Sequence, residues 1–461
     1  MQQPDRVKSY LGTVRRQIRW KRAHPFVLEE IKNHIIDQRD AFLREGLDEE
    51  TAVERAIDEM GDPVAVGEKL DRIHRPRPDW VLLALTASML LLGLFIQYYI
   101  SPSILNGAPV YNKQVIWAGI AVVVMAAAYF IDFTIVGKYP VAIFALLCVA
   151  VLISQIFGDR VNGRSINAVY LLLMFPASYA GLVYGMRNKG YLGLILCGAA
   201  FVVPAYLAIA TPSLTVLFLL CVSCLIVLTA AVLKGWFNVR KLYAMLIIYI
   251  PVAAVLSVPY FLAKGEGYLS KRIQIGFNPS LEPEGAGHIG ILIRRLISNS
   301  KFIGAGLPLD GYQGYGISHV LPGANTDFLL TYIVYGFGWI ALVGIISVLA
   351  FFIIRTAMLC RRQKSVLGYL LSLSIILTFA AQCIVYVASN LGFLLLSPVS
   401  LPLISYGGRV LVINAGLIGL LLSVFRTGDY VRDKALADRQ KPGRFLRYDN
   451  GQIIINLKPG P

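Results

Sequence analysis

Charge is scarce in this chain. Asp, Glu, Lys and Arg make up 15% of its 461 residues, against 56% hydrophobic ones. A soluble domain carries about 25% charged residues. With a mean hydropathy of +0.64, the deficit excludes an ordinary soluble enzyme and points to a multi-pass membrane protein. The charge present is lopsided, 43 Lys and Arg against 27 Asp and Glu. No basic stretch interleaves aromatics or shows zinc-ligand spacing, so nucleic-acid readout is not the reason. In membrane proteins Lys and Arg gather in cytoplasmic loops and meet anionic lipid heads. Cysteine is sparse too. Cys148, Cys197, Cys221, Cys224 and Cys383 lie inside apolar runs, and Cys360 lies in a basic loop. Cys221 and Cys224 spell C-x-x-C within "LFLLCVSCLIVL" and read as small packing residues. No disulfide framework follows. The first eighty or so residues are polar, so no cleavable signal peptide is expected. No internal repeat with paired broken helices is visible, which argues against an ordinary secondary transporter. Apart from Asp132, the apolar runs hold almost no ionisable residues, which argues against the polar path of a translocator.

Residues 1–77 read as a separate helical module. Gly46 stops one helix, Asp48 caps "EETAVERAIDEM", Gly61 stops it, and Asp62-Pro63 starts another. Val53, Ala56, Ile57 and Met60 recur at helical spacing and give a face to bury. The linker "HRPRPDW" follows. From Trp80, runs long enough to span a bilayer fall near 80–100, 114–136, 140–157, 167–186, 190–210, 213–233, 241–263, 326–354, 366–389 and 402–425. The expected fold is therefore all-α: a polytopic membrane protein of about ten transmembrane helices over 78–430, with a small N-terminal helical domain and a basic tail over 431–461. Lys138, Arg187 and Lys189, then Lys234, Arg240 and Lys241, then Arg355, Arg361, Arg362 and Lys364 occupy alternate short loops. The positive-inside rule places that side, the N-terminal module and the tail in the cytoplasm. The opposite face carries a large loop, 264–325, whose Lys271, Arg272, Arg294, Arg295 and Lys301 run against the rule. Exported basic residues suit an anionic ligand.

Three outward stretches carry candidate chemistry. "LPGANTDFLLTYIVY" sets Thr326 and Asp327 at the mouth of an apolar run. The carboxylate reads either as a helix N-cap or as a base facing a lipid-borne substrate. "SPVSLPLISYGGRVLVINAG" sets Ser405, Tyr406, Gly407 and Gly408 at the start of the last helix. Its glycines either offer N–H groups to an anion or allow tight helix packing. "VNGRSINAVYLLLMFPAS" puts Arg164 at the outer end of a span, as an interfacial snorkel or a ligand. "NPSLEPEGAGHIGILIRRLISNSKFIGAG" reads as re-entrant or interfacial helices.

Taken together, these stretches resemble the SEDS proteins (shape, elongation, division and sporulation), the FtsW/RodA/SpoVE family. The similarity covers about 80–460. "LGFLLLSPVSLPLISYGG" is close to the family's Asn-x-Gly, Pro-x-x-x-x-Leu-Pro and Ser-Tyr-Gly-Gly signature, and "LPGANTDF" to Leu-Pro-x-x-His-Thr-Asp-Phe. "LREGLDEETAVERAIDEMGDP" resembles a helical prefix domain of Firmicute membrane proteins. The resemblance implies a peptidoglycan glycosyltransferase that polymerises lipid II, the undecaprenyl-pyrophosphate-linked disaccharide peptide, beside a class B penicillin-binding protein in the bacterial cell membrane. In that picture Asp327 is the essential acid. Arg164 is the family-aligned cation for the leaving pyrophosphate, with Arg294, Arg295 and Lys301 as weaker candidates; Thr326 and Ser405 to Gly408 line the substrate. No metal ligands and no certain cofactor are implied, though a divalent cation such as Mg suits a pyrophosphate. Departures from the pattern favour a second expectation, a non-catalytic or regulatory paralogue or a lipid II binding or translocating protein. The family's Gln-Pro-Ser-Glu-x-x-Lys element becomes "FPASYAG", with Ser178 for the glutamate and Gly181 for the lysine. Gln-Pro-Asp becomes "ATPSLT", with Ser213 for the acid, and Glu-Glu-x-Gly becomes Tyr335-Gly336-Phe337-Gly338. Asn325 replaces the histidine before Thr-Asp-Phe, and Arg409 a small residue after Gly-Gly.

Two predictions follow from the loops and the module. In intact cells a membrane-impermeant thiol reagent is expected to label Ser280→Cys and to spare Ser9→Cys; the reverse pattern would invert the topology. A chain starting at Arg77 is expected to insert and to keep its polymerising activity in detergent. Insertion with complete loss of that activity would give the module a part in the chemistry.

Overall fold

The computed structural model describes residues 3–76, 78–103, 107–161, 164–263, 268–309, 317–428, 446–449 and 452–455. It forms two compact units, Met1–Pro78 and Asp79–Pro461. The first holds α1 (Gln3–Gln17), α2 (His24–Arg44), α3 (Glu49–Met60) and α4 (Pro63–His74). Its core is Tyr10, Val14, Ile31, Ile35, Phe42, Ala52 and Ala56, with Ile57 and Met60 packed at the edge. Asp48 caps α3, taking hydrogen bonds from the Thr51 hydroxyl and amide at 2.6 and 3.1 Å. Those bonds, the hydroxyl first, hold its carboxyl below the usual carboxylate range. Asp62 caps α4 through the Ala65 amide at 3.0 Å.

The second unit continues with α5 (Trp80–Ile100), α6 (Gly107–Phe130), α7 (Thr134–Lys138), α8 (Pro140–Phe157), α9 (Ile166–Leu172), α10 (Phe175–Met186), α11 (Gly190–Ala210), α12 (Leu214–Leu233) and α13 (Lys241–Ala263). Then come α14 (Tyr268–Phe277), α15 (His288–Ser298), α16 (Ile317–Val320), α17 (Leu329–Phe337), α18 (Trp339–Arg361), α19 (Val366–Asn390) and α20 (Gly408–Thr427). Strands β1 (Arg160–Val161) and β2 (Arg164–Ser165) pair antiparallel before α9, and β3 (Leu446–Asp449) pairs with β4 (Gln452–Ile455). Apart from those last two strands, the basic tail from 431 lies outside the described residues. Among the described residues nine helices are long and apolar enough to cross a membrane, with α9 and α10 counted as one; α13 is apolar over Lys241–Ala253, the part whose side chains are described. The fold is that of a polytopic all-α membrane protein.

The expected span 326–354 differs most. The run 326–354 is not continuous but breaks at Gly338, between α17 and α18. Gly338 has φ +93°, and a Cβ there would lie 2.5 Å from the Phe302 carbonyl oxygen, so the position needs glycine. The segment 301–306 straps the break. The Gly306 and Gly304 amides donate to Tyr335 O and Phe337 O at 2.7 and 3.0 Å, and the Trp339 and Ile340 amides donate to Lys301 O and Phe302 O at 3.1 Å each. Groups that a helix break would orphan are thereby satisfied, as hydrocarbon surroundings require.

Asp79 anchors the start of α5. It caps the Leu82 amide at 2.8 Å and pairs with Arg355 of α18 at 2.6 Å. Helices α6 and α20 run parallel in close contact. Gly408 lies on the Trp117 indole, Gly419 on Met125 and Ala128, and the Ser423 hydroxyl donates to Ile131 O at 2.6 Å. Small residues at such a seam let backbones approach, and van der Waals packing then supplies the association energy. Gly119, also on α6, has open space around it. Gly419→Leu is therefore expected to destabilise the protein by about 1–3 kcal/mol through overpacking. Gly119→Leu is expected to be neutral. Thermal unfolding of both variants in detergent is the check, and equal stability would disprove the seam.

Candidate active site

Asp327 is exposed at the end of a turn, just before α17. It is not the cap of that helix. The N-cap position belongs to Phe328, which has no side-chain acceptor. Two side chains of α19 do the capping. The Leu329 amide donates to the Tyr386 hydroxyl at 3.3 Å, and the Thr331 amide donates to Asn390 Oδ1 at 3.0 Å. These lie four residues apart on one face of α19.

The same side chains, with two others, fix the loop that carries the carboxylate. Three successive carbonyls are pinned. Asn325 O accepts from the Gln97 side chain of α5 and from the Tyr406 amide, both at 3.0 Å. Thr326 O accepts from the Tyr386 hydroxyl at 2.5 Å. Asp327 O accepts from Asn390 Nδ2 at 2.9 Å. Within the turn, the Thr326 and Phe328 amides both donate to Gly323 O at 3.0 Å. Gln97, Asn390 and Tyr386 are buried, so each bond is made where an unpaired polar group would be costly. The loop is held from three directions, while its carboxylate stays at the surface.

The residues picked from sequence divide accordingly. Thr326, Asp327 and Tyr406 come together through the Tyr406–Asn325 bond. Ser405 is buried, and its hydroxyl takes the Leu401 amide at 3.0 Å and donates to Leu401 O at 3.3 Å, closing its own turn. The Gly407 amide donates to Gln114 Oε1 of α6 at 3.4 Å. Gly408 provides the close approach to Trp117. Arg294 sits elsewhere, donating to Gly392 O from Nε and Nη2 at 3.3 and 3.2 Å and to Phe277 O at 2.9 Å. It brackets the turn after α19. Arg295 and Lys301 are exposed, and Lys301 is joined to the helix break through its carbonyl. The Arg164 backbone lies in β2 opposite Val161; its side chain lies outside the described residues. Among the described residues no group of three or more His, Cys, Asp or Glu gathers as a metal site.

Several participants were passed over in sequence. Tyr386, Gln97 and Gln114 are polar residues inside apolar runs, which is the signal that marks them. Tyr170 of α9 is another: its phenol lies within electrostatic range of both Asp327 and Arg409. The Arg409 guanidinium pairs with Asp159, just before β1, at 3.3 Å.

The departures from the family pattern also have structural consequences. A Cβ at Gly181 would lie 2.7 Å from Val136 O, so no longer side chain fits there as packed. The Ser178 hydroxyl is buried without a partner. Ser213 takes the Val216 amide at 3.4 Å as the cap of α12.

The membrane unit matches the family model for FtsW, RodA and SpoVE, described as a cell cycle protein, over residues 79–429. A curated relative, the "Probable peptidoglycan glycosyltransferase FtsW" of Trichlorobacter lovleyi, is 28% identical over 186 residues, 39% of this chain and 46% of that protein. The protein of the same description from Pseudoalteromonas translucida is 29% identical over 294 residues, 59% of this chain and 69% of that one. The chain spans about half the length of the first curated relatives it matches. Among solved structures, a chain from a peptidoglycan synthase complex that coordinates polymerization and crosslinking superposes with a TM-score of 0.59 at 17% identity, over 77% of this chain and 99% of that one. The rod shape determining protein RodA of Thermus thermophilus gives 0.51 at 14% identity, over 77% and 98%. Those identities speak for the fold alone. With the family match running from the first span to the end of the last, the chain belongs to the FtsW/RodA/SpoVE family.

Proposed function

We propose that this protein is a peptidoglycan glycosyltransferase that polymerises lipid II at the outer face of the bacterial cell membrane, with Asp327 as general base. The observation that carries this reading is the division of labour around α17. Tyr386 and Asn390 cap the helix and pin the backbone of the loop that carries the exposed Asp327. An exposed carboxylate on an immobilised backbone suits proton abstraction from an arriving hydroxyl, because positioning reduces the entropic cost of reaching the reactive geometry.

Extending a β-1,4 glycan from an α-linked donor inverts the anomeric carbon. One carboxylate beside the attacking oxygen serves that geometry, as in inverting glycosidases. The acceptor 4-oxygen bonds to the donor C1, and its proton passes to Asp327. The C1–oxygen bond to the pyrophosphate breaks, and the lipid pyrophosphate leaves with the electron pair. Cations stabilise that leaving group. In this reading the transpeptidase partner is a class B penicillin-binding protein, in keeping with the synthase complex whose chain shares the fold.

A second reading has its own observation. The backbone of Val136 closes on Gly181, and Ser178 is left without a partner, where the family pattern has a lysine and a glutamate. A relative that binds lipid II without polymerising it would tolerate such a closed interior.

Asp327→Asn tests the first reading. Asparagine nearly preserves the shape of aspartate, and the caps of α17 come from Tyr386 and Asn390, so the variant is expected to fold. The folded variant is expected to lose about 10²–10⁴-fold in the rate of glycan polymerisation from labelled lipid II, measured with the candidate penicillin-binding partner present. Full activity in the variant would remove Asp327 from the chemistry. A wild-type protein inactive with every partner would favour the second reading.

A further inference from the structure

We propose that Arg409 is the residue that receives the pyrophosphate of the lipid-linked donor, and that Asp159 holds its guanidinium until the donor arrives. The proposal rests on the reading of the site as one that takes a lipid pyrophosphate.

The sequence offered Arg164, Arg294, Arg295 and Lys301 for this role. Arg294 is committed to main-chain oxygens of Gly392 and Phe277, a structural use that a ligand would have to break. Arg409 is placed differently. It lies three residues after Tyr406, whose amide is bonded to Asn325, and Asn325 lies two residues before Asp327. The two chain segments touch at that bond, so the backbones that carry the guanidinium and the carboxylate are neighbours. The Tyr170 phenol lies within electrostatic range of both. The backbone under Arg409 is fixed on each side. Gly407 is hydrogen-bonded to Gln114, Gly408 is seated on Trp117, and Val410 is buried.

The side chain itself is poorly committed. Its ion pair with Asp159 is a single contact of 3.3 Å, with the two side chains 44% and 79% exposed. A pair of that kind is weak because water and salt screen it. A pyrophosphate carries more negative charge than one carboxylate and offers oxygens matched to the planar fork of a guanidinium. The exchange of partner is therefore downhill, and it leaves Asp159 free in solvent at little cost. Arg409 and Asp327 would then act on the two bonds of the same transfer, Arg409 on the bond that breaks and Asp327 on the bond that forms.

The test uses the full-length protein in detergent, with undecaprenyl pyrophosphate as the binding probe and undecaprenyl monophosphate beside it. Arg409→Ala is expected to weaken pyrophosphate binding by about tenfold to a hundredfold, the worth of one charge-assisted hydrogen-bonding group. Arg409→Lys is expected to lose less, and Asp159→Asn to bind more tightly than wild type. Size-exclusion profiles and thermal unfolding show whether each variant is folded. Asp159→Asn, which leaves Arg409 in place, keeps the test open should Arg409→Ala fail to fold. Unchanged binding in folded Arg409→Ala, or weakened binding in Asp159→Asn, would overturn the proposal. So would a wild-type protein that binds neither lipid. Polymerisation assays separate this result from the reading it rests on. Wild type that binds the pyrophosphate through Arg409 yet makes no glycan would sink the polymerase and keep the site. Wild type that polymerises with Arg409→Ala as its equal would do the opposite.

Discussion

The side-chain amide of Asn390 joins the two halves of the site. Its oxygen takes the Thr331 amide inside the first turn of α17, and its nitrogen donates to Asp327 O just outside that turn. The Thr331 hydroxyl returns a bond to Asn390 O at 2.9 Å. One buried residue of α19 therefore sets both where α17 begins and where the preceding loop ends. An amide does this without bringing an ion into the interior, at a fraction of the desolvation cost of a charge. Loss of the amide oxygen would leave the buried Thr331 amide without that partner, which costs more than the bond itself contributes. Gln97 and Gln114 work by the same principle from α5 and α6, so three helices are tied to two loops by neutral polar side chains.

The spans were legible because hydropathy is a local property: twenty apolar residues in a row need no partner to be recognised. Capping is not local. The bonds that excuse Asp327 from its cap run from residue 329 to 386 and from 331 to 390, and no window of sequence contains both ends. The open choice between cap and base could be narrowed only when α19 was seen beside α17. The break at Gly338 is an intermediate case. Gly336-Phe337-Gly338 is a visible helix-weakening signal within 326–354, but hydropathy outweighed it. The deciding partner, the strap at 301–306, belongs to a loop without a periodic pattern of its own.

The glycines show the same limit from another side. Gly407 and Gly408 could expose amides to an anion or let helices close, and the sequence supports both readings equally. In the fold, the Gly407 amide is taken by Gln114 and Gly408 carries the Trp117 ring. Their service is to hold the start of α20 against α6. The backbone donor at Gly407 is thereby already spent. Ser405, turned onto Leu401, makes the same point.

The interior and the rim of the membrane unit differ in charge. At Gly181 the Val136 main chain occupies the space a lysine would need, and Ser213 has become a helix cap. Neither position carries a charge. At the rim, Asp159, Arg409 and Asp327 are exposed, and two of them form the ion pair that joins the β1 region to α20. Charge is cheap to keep at that depth because water reaches it. A substrate whose reactive groups lie in the headgroup layer needs no ionised interior, only a carboxylate and a cation held at the surface by something rigid beneath them. The buried amides of Gln97, Gln114 and Asn390 are that support, and they hold the loops without an ion of their own.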